Sequence, residues 1–406
     1  MSCSIHVNNH LITWSLTLRI RSKETRVIKS LKKIFSNQKT IELINALTRA
    51  NKLGYYSYIG REIEYDPYKL SKIINKLNEN GIEFTAAIDY SKIGLDILLV
   101  FIEKHFMRLN ELPYIEWVRT YSLTKDVFGT YIQYYIPHEY RKDLVYNILK
   151  ELKKKADQNS IHYYYFDKNL RKQPRLTINI EKHPLVTGYS FNELTQIFNE
   201  LLRKKHYNDL IIEYSRPRDI VDLMLIKEFE KNAFATIYDL AKKLSIPIRT
   251  LNKHLNNHVL RYSMINGIYM KMGIFVKHIG EPLIIIITTK NYYYYRSLIS
   301  LFEKLENTIG ITYSSQLYSE ISSDNYTIHA GILEAINRMD DIYYFLFQLY
   351  NEGYIESIKI IRYIKRTFKK FTVPYQNFLQ EKKYWDLDTE RTQRLYERRF
   401  IKRRGF

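Results

Sequence analysis

The chain has 406 residues, with 63 Lys and Arg against 43 Asp and Glu, a formal net charge of +20. An excess of that size favours a polyanionic partner, nucleic acid ahead of an anionic membrane surface. A single cysteine, Cys3, excludes an internal disulfide and a cysteine-based zinc cluster and fits a reducing cytosol; no apolar run reaches transmembrane length, so no membrane is expected.

Taken in chain order, residues 1–35 are an N-terminal segment, too polar at the start for a signal peptide, with helical spacing at Val27, Ile28, Leu31, Ile34 and Phe35. A helix over 40–50 follows. Asp66-Pro67 then starts a helix over 68–80 that buries Leu70, Ile73, Ile74 and Leu77 and ends at Asn80-Gly81. Its outward face carries Lys69, Ser71, Lys72, Asn75 and Lys76. Strands are expected over 82–88, 96–102, 114–123, 127–136 and 161–166, with a helix marked by Leu144, Val145, Ile148, Leu149 and Leu152. That order is β(α)ββαβ, a ferredoxin-like sandwich.

Past His183-Pro184, Ser190 caps a helix to residue 205 in a connector. Ile220, Leu223, Leu225, Ile226 and Phe229 then open a three-helix unit whose centre is residues 234–260. Ile237, Leu240, Ala241 and Leu244 fall on one helix face; Ser245-Ile246-Pro247 breaks the pattern; Ile248, Leu251, Leu255 and Val259 resume it. This is a helix-turn-helix. Its second helix presents Arg249, Thr250, Asn252, Lys253 and Asn256, which suit phosphates and base edges in a major groove. A plain helical hairpin with a solvated face has the same pattern, and the context decides: residues 262–275 read as a wing, a β-hairpin turning at Asn266-Gly267. Strands over 283–288, 311–321, 326–333 and 355–364 and helices over 294–306 and 336–350 then repeat the earlier order, with Ile358, Ile361, Ile364 and Phe368 in the last segment also fitting helical spacing.

The expected fold class is therefore α+β: tandem winged helix-turn-helix units, each followed by a ferredoxin-like βαββαβ sandwich. The divisions are an N-terminal segment (1–35), winged unit 1 (36–92), sandwich 1 (93–180), a helical connector (181–216), winged unit 2 (217–277), sandwich 2 (278–373) and a basic tail (374–406). The tail reads as helical, and Arg398, Arg399, Lys402, Arg403 and Arg404 in it could clamp phosphates.

Asp219-Ile-Val-Asp-Leu223, the run Leu251 to Val259 and the run Phe84 to Gly94 resemble the leucine-responsive regulator family (Lrp/AsnC) of bacteria and archaea. The resemblance implies an archaeal-type, cytoplasmic and nucleoid-associated transcriptional regulator that reads duplex DNA through the second helix of each motif. It departs in carrying two units per chain, and Lys125 to Gly129 matches the family's effector signature only loosely, so an effector is left unidentified. Two units in one chain imply an intramolecular pseudo-dimer, with any homodimer built on it.

No catalytic constellation, GxGxxG or P-loop is present, so no enzyme and no cofactor are expected. His254 and His258 stand at ligand spacing, one helical turn apart, but without an acidic or Cys ligand nearby in sequence no metal is expected. The alternatives to a regulator are an RNA-binding protein using the βαββαβ sheets, or a chromatin or scaffold protein without sequence preference.

Overall fold

A computed structural model describes residues 37–49, 59–61, 63–103, 105, 107–125, 128–157, 160–170, 188–204, 217, 219–271, 281–313, 325–334, 338–364, 367–379 and 384–385. The chain is α+β, and its sheets are antiparallel. The described residues open with helices α1 (Gln38–Arg49) and α2 (Pro67–Glu79), the latter capped by Asp66, whose carboxylate accepts the Lys69 amide at 2.8 Å. Strand β1 (Glu83–Ile88) leads into β2 (Leu95–Ile102), β3 (Val118–Leu123), β4 (Thr130–Pro137), helix α3 (Arg141–Lys155), β5 (Ile161–Phe166) and β6 (Lys168–Leu170). The second half runs α4 (Phe191–Arg203), α5 (Ile220–Lys231), α6 (Ile237–Leu244), α7 (Ile248–His254), β7 (Ile265–Lys271), β8 (Glu281–Thr289), α8 (Tyr292–Lys304), β9 (Thr308–Tyr313), β10 (Tyr326–Glu334), α9 (Met339–Asn351) and β11 (Ser357–Arg362). Short strands β12 (Lys369–Lys370), β13 (Phe378–Leu379) and β14 (Tyr384–Trp385) follow.

The two halves interlock. One five-stranded sheet has the order β12-β3-β4-β2-β5 and the other β6-β9-β10-β8-β11, so the two orders correspond strand for strand. Each half supplies the other's outer strand: β6 leaves the first half to pair with β9, and β12 leaves the second to pair with β3. The sheets stack face to face. Ile284, Ile286, Leu333 and Ile361 of the second sheet join the same buried cluster as Ile97, Leu99 and Phe101 of the first. The opposite face of the second sheet forms a separate core under α4, α8 and α9, around Phe198, Leu298, Phe302 and Phe345. Covered on both faces, β2 is buried at every position, which is why Leu95–Ile102 reads as a nearly unbroken apolar run.

Several expectations change here. Among the described residues the expected hairpin does not turn at Asn266-Gly267: β7 continues through it and pairs with β1 of the other half. Between the pairs Ala86↔Ile268 and Ile88↔Ile265 β7 has one residue more than β1, so Asn266-Gly267 makes a bulge, with Gly267 at φ 127°. A free edge on β1 satisfies the β7 backbone better than an isolated hairpin does. The first sandwich has no helix between β2 and β3 among the described residues, only single turns at Leu109–Glu111 and Ile115–Trp117. The start of the tail is one 3-10 turn, Tyr375–Asn377, followed by the short strands β13 and β14 in place of the expected helix. Tyr375, Phe378 and Trp385 are buried in the first half's core, and the Trp385 indole donates to the Ile93 carbonyl at 3.0 Å. The helical spacing at 27–35, the connector's first part, and tail residues Arg398, Arg399, Lys402, Arg403 and Arg404 lie outside the described residues.

A buried polar cluster fixes α5 to the first sheet. Arg119 of β3 donates to Glu230, to the Tyr90 hydroxyl and to the Phe371 carbonyl, and Tyr90 and Tyr375 also donate to Glu230, at 2.8 Å and 3.2 Å. Glu230 holds the Arg119 guanidinium charged against the desolvation that burial imposes.

Candidate functional site

One residue from each sheet meets the other where the two sheets stack. Tyr131 on β4 pairs with Phe101 on one side and Ser122 on the other; His329 on β10 pairs with Ile286 and Thr312. Since β4 and β10 hold the same place in the two sheets, Tyr131 and His329 are counterparts, meeting where the sheets face each other. Their rings stack, with centroids 6.5 Å apart and planes 13° from parallel, and the Tyr131 hydroxyl lies 3.4 Å from His329 Nε2. Phe166 closes a third side of the imidazole at 6.0 Å.

Burial shapes the chemistry of both rings. It drives the His329 pKa down to about 4, so the imidazole is neutral at physiological pH, and it raises that of the Tyr131 phenol, which keeps its proton. Part of the His329 residue surface is nonetheless open, whereas its Nδ1 is buried and has no hydrogen-bond partner among the described residues. A buried nitrogen left without a partner is uncommon and calls for a physical reason.

Beside it the floor is empty. Gly331 lies two residues from His329 on the same face, and it pairs across the ladder with Gly310. A Cβ on Gly310 would meet nothing within 4 Å, and one on Gly331 would have its nearest neighbour at 3.8 Å. Neither position has a positive φ, so backbone conformation does not require glycine at either. The corresponding pair in the first sheet is Thr120↔Gln133, which carries side chains where the second sheet has two glycines. The opening is therefore one-sided. On the other side of β8 from His329, Glu103 accepts from Lys359 at 2.7 Å and lies 3.4 Å from His162, and the Lys359 ammonium lies 4.4 Å from the Phe101 ring centroid. The Lys359 hydrogen bond lowers the Glu103 pKa, so that carboxylate stays charged.

The residues singled out from the sequence lie elsewhere. Arg249, Asn252, Lys253 and Asn256 are exposed on α7 and its continuation, with Thr250 half-buried. Lys69, Lys72, Asn75 and Lys76 are exposed on α2, with Ser71 half-buried. The structure does not bring either set to the inter-sheet opening. His329, Gly310 and Gly331 were missed. The signal available was two glycines inside β-branched strand sequence, which marks a close approach to the backbone.

No protein-family model matches the sequence, and no curated protein does. Solved structures similar to the chain include the siroheme decarboxylase NirDL, at 13% identity and a TM-score of 0.46 over 79% of this chain and 90% of that one. A second is NirDL in co-complex with an iron-uroporphyrin III analogue, at 13% identity and a TM-score of 0.45 over the same shares.

These findings correct the functional reading of the sequence. The inference to a Lrp/AsnC-like DNA-binding transcriptional regulator rested on architecture, and the similar structures carry the name of an enzyme. With it go duplex DNA as the partner, nucleoid association, the two nucleic-acid or scaffold alternatives, and the expectation that the chain is not an enzyme. The hairpin turn at Asn266-Gly267 that had weighted the helix-turn-helix towards DNA is not formed. Among the described residues no helix is long and apolar enough to cross a membrane.

Proposed function

We propose that the chain is a small-molecule-binding enzyme whose ligand enters between the two sheets and contacts His329 and Tyr131. The observation that carries this is the buried, unpartnered Nδ1 of His329 beside the empty floor of Gly310 and Gly331. Ligand sites combine an apolar, preformed concavity with a few polar groups. Here the apolar walls are Phe101 and Phe166, and the polar groups are a neutral imidazole and a protonated phenol.

The neutral imidazole can accept a proton or ligate a metal carried by the ligand, and the phenol can donate a hydrogen bond to an anionic group. Stacked rings over a floor without side chains suit a flat molecule. The net charge of +20 favours an acidic one. An iron uroporphyrin is flat, acidic and metal-bearing, and serves as the probe. Titrating it into the full-length protein should shift its absorption spectrum, and His329→Ala should abolish the shift while leaving the circular dichroism unchanged. An identical shift with His329→Ala removes this site from consideration.

The finer architecture belongs to the same proposal. Two helix-turn-helix units each lead into a ferredoxin-like sandwich, joined by the connector at 181–216. The strand orders β5-β2-β4-β3 and β11-β8-β10-β9 support it.

A further inference from the structure

Away from the inter-sheet opening, a second set of chemically active groups meets at the base of the second helical unit. Asp219 caps α5 and Asp222 lies one turn further on; His254 ends α7 and His258 follows one turn later. Chain order separates the two pairs by more than thirty positions, and packing of α7 against α5 joins them. His254 Nδ1 and His258 Nδ1 each lie 2.9 Å from the same oxygen, Asp222 Oδ1, and His254 Nδ1 lies 3.4 Å from Asp219 Oδ1. Asp222 is fully buried, and the histidine side chains are 12% and 10% exposed.

We propose that Asp219, Asp222, His254 and His258 bind a divalent transition metal, with zinc the best fit to the donor set. Ligand atoms of Asp219, His254 and His258 all lie within 4.8 Å of one another. A tetrahedral zinc with arms of ~2.0–2.1 Å has ligand-to-ligand edges of ~3.3 Å, and the separations of 2.9 and 3.4 Å bracket that value. Two carboxylates and two neutral imidazoles are a standard nitrogen–oxygen donor set for zinc, and the cation would balance the charge of the pair of carboxylates.

The helix itself carries a second sign. From Leu255 to Leu260 the backbone widens into a π-helical turn, a rare form that accumulates at functional positions, and His258 lies within it. Two imidazole N–H groups donating to Asp222 would also satisfy this geometry, so direct measurement must separate the two. A metal here would cross-link the start of α5 to the end of α7 and fix the crossing of the helices.

The test uses full-length protein stripped with a chelator and titrated with Zn²⁺, then with Co²⁺ as a spectroscopic substitute. The expected result is one site per chain with the intense visible bands of tetrahedral Co²⁺. Asp222→Asn and His258→Ala should each weaken binding by at least ~10-fold. Should His258→Ala not fold by circular dichroism, His254→Gln replaces it, since that side chain is the more exposed of the two histidines. No Zn²⁺ binding by the wild type, or equal binding by folded variants, overturns the proposal.

Discussion

The depressed pKa of His329 makes the stability of the whole protein depend on pH in a defined window. The perturbation is His329→Phe, which keeps a flat ring against Tyr131 and removes the titrating nitrogens. In the unfolded chain the imidazole titrates at the ordinary 6.5; in the folded protein burial holds it at about 4. The unfolded state therefore takes up the proton first as pH falls. The contribution is fully present above the unfolded value and is lost progressively as pH drops through the folded one. A shift from 6.5 to about 4, at ~1.4 kcal/mol per unit, corresponds to roughly 3 kcal/mol. About 2.5 kcal/mol of this is gone by about pH 4.5. The neighbouring Tyr131 phenol does not change charge in that range, because burial shifts it upward. Urea unfolding of wild type and His329→Phe at about pH 7 and about pH 4.5 measures the difference directly. The wild type should lose roughly 2 kcal/mol more than the variant between the two conditions. Parallel losses would show that His329 protonates freely in the folded protein, and the enclosed imidazole on which the site is built would be wrong.

Further expectations concern the floor, the polar cluster and the metal. Gly310→Ala and Gly331→Ala should fold normally and gain up to ~1 kcal/mol in denaturant unfolding, since a Cβ meets open space at the first and ordinary contact at the second. Destabilisation by either would mean that the space is already filled. Arg119→Met should cost about 3–5 kcal/mol by thermal or urea unfolding because Glu230 is left as a buried charge. Pairing it with Glu230→Gln should recover part of that loss, and a double variant no better than the single one would count against a charge-based role. Saturating Zn²⁺ should raise the melting temperature of the chelator-treated wild type, by about 2.7 kcal/mol in stability at a hundredfold excess over Kd, and leave Asp222→Asn unchanged.

Local structure was legible wherever the pattern was strong. Asp66 before Pro67 and Ser190 before Phe191 both cap the helices that follow them. Each cap is a short-range event, with donor and acceptor within three residues. What could not be read was set by long-range pairing. Asn266-Gly267 has the residues of a turn, but its fate depended on β1, more than 170 positions away, offering a free edge. The outer strands β6 and β12 are short and belong to the sheet of the other half, which no local periodicity encodes. The histidine pair at 254 and 258 was visible as a spacing, yet its carboxylate partners come from a different helix. The candidate site was hidden for the same reason, because Tyr131 and His329 face each other only after the two sheets have stacked.

The measurement that bears most directly on the central claim is a crystal structure of the protein grown with an iron uroporphyrin. The account predicts density for the ligand between the sheets, over Gly310 and Gly331 and within contact of His329 and Tyr131. Ligand bound elsewhere on the molecule, with the space beside His329 empty, would contradict it.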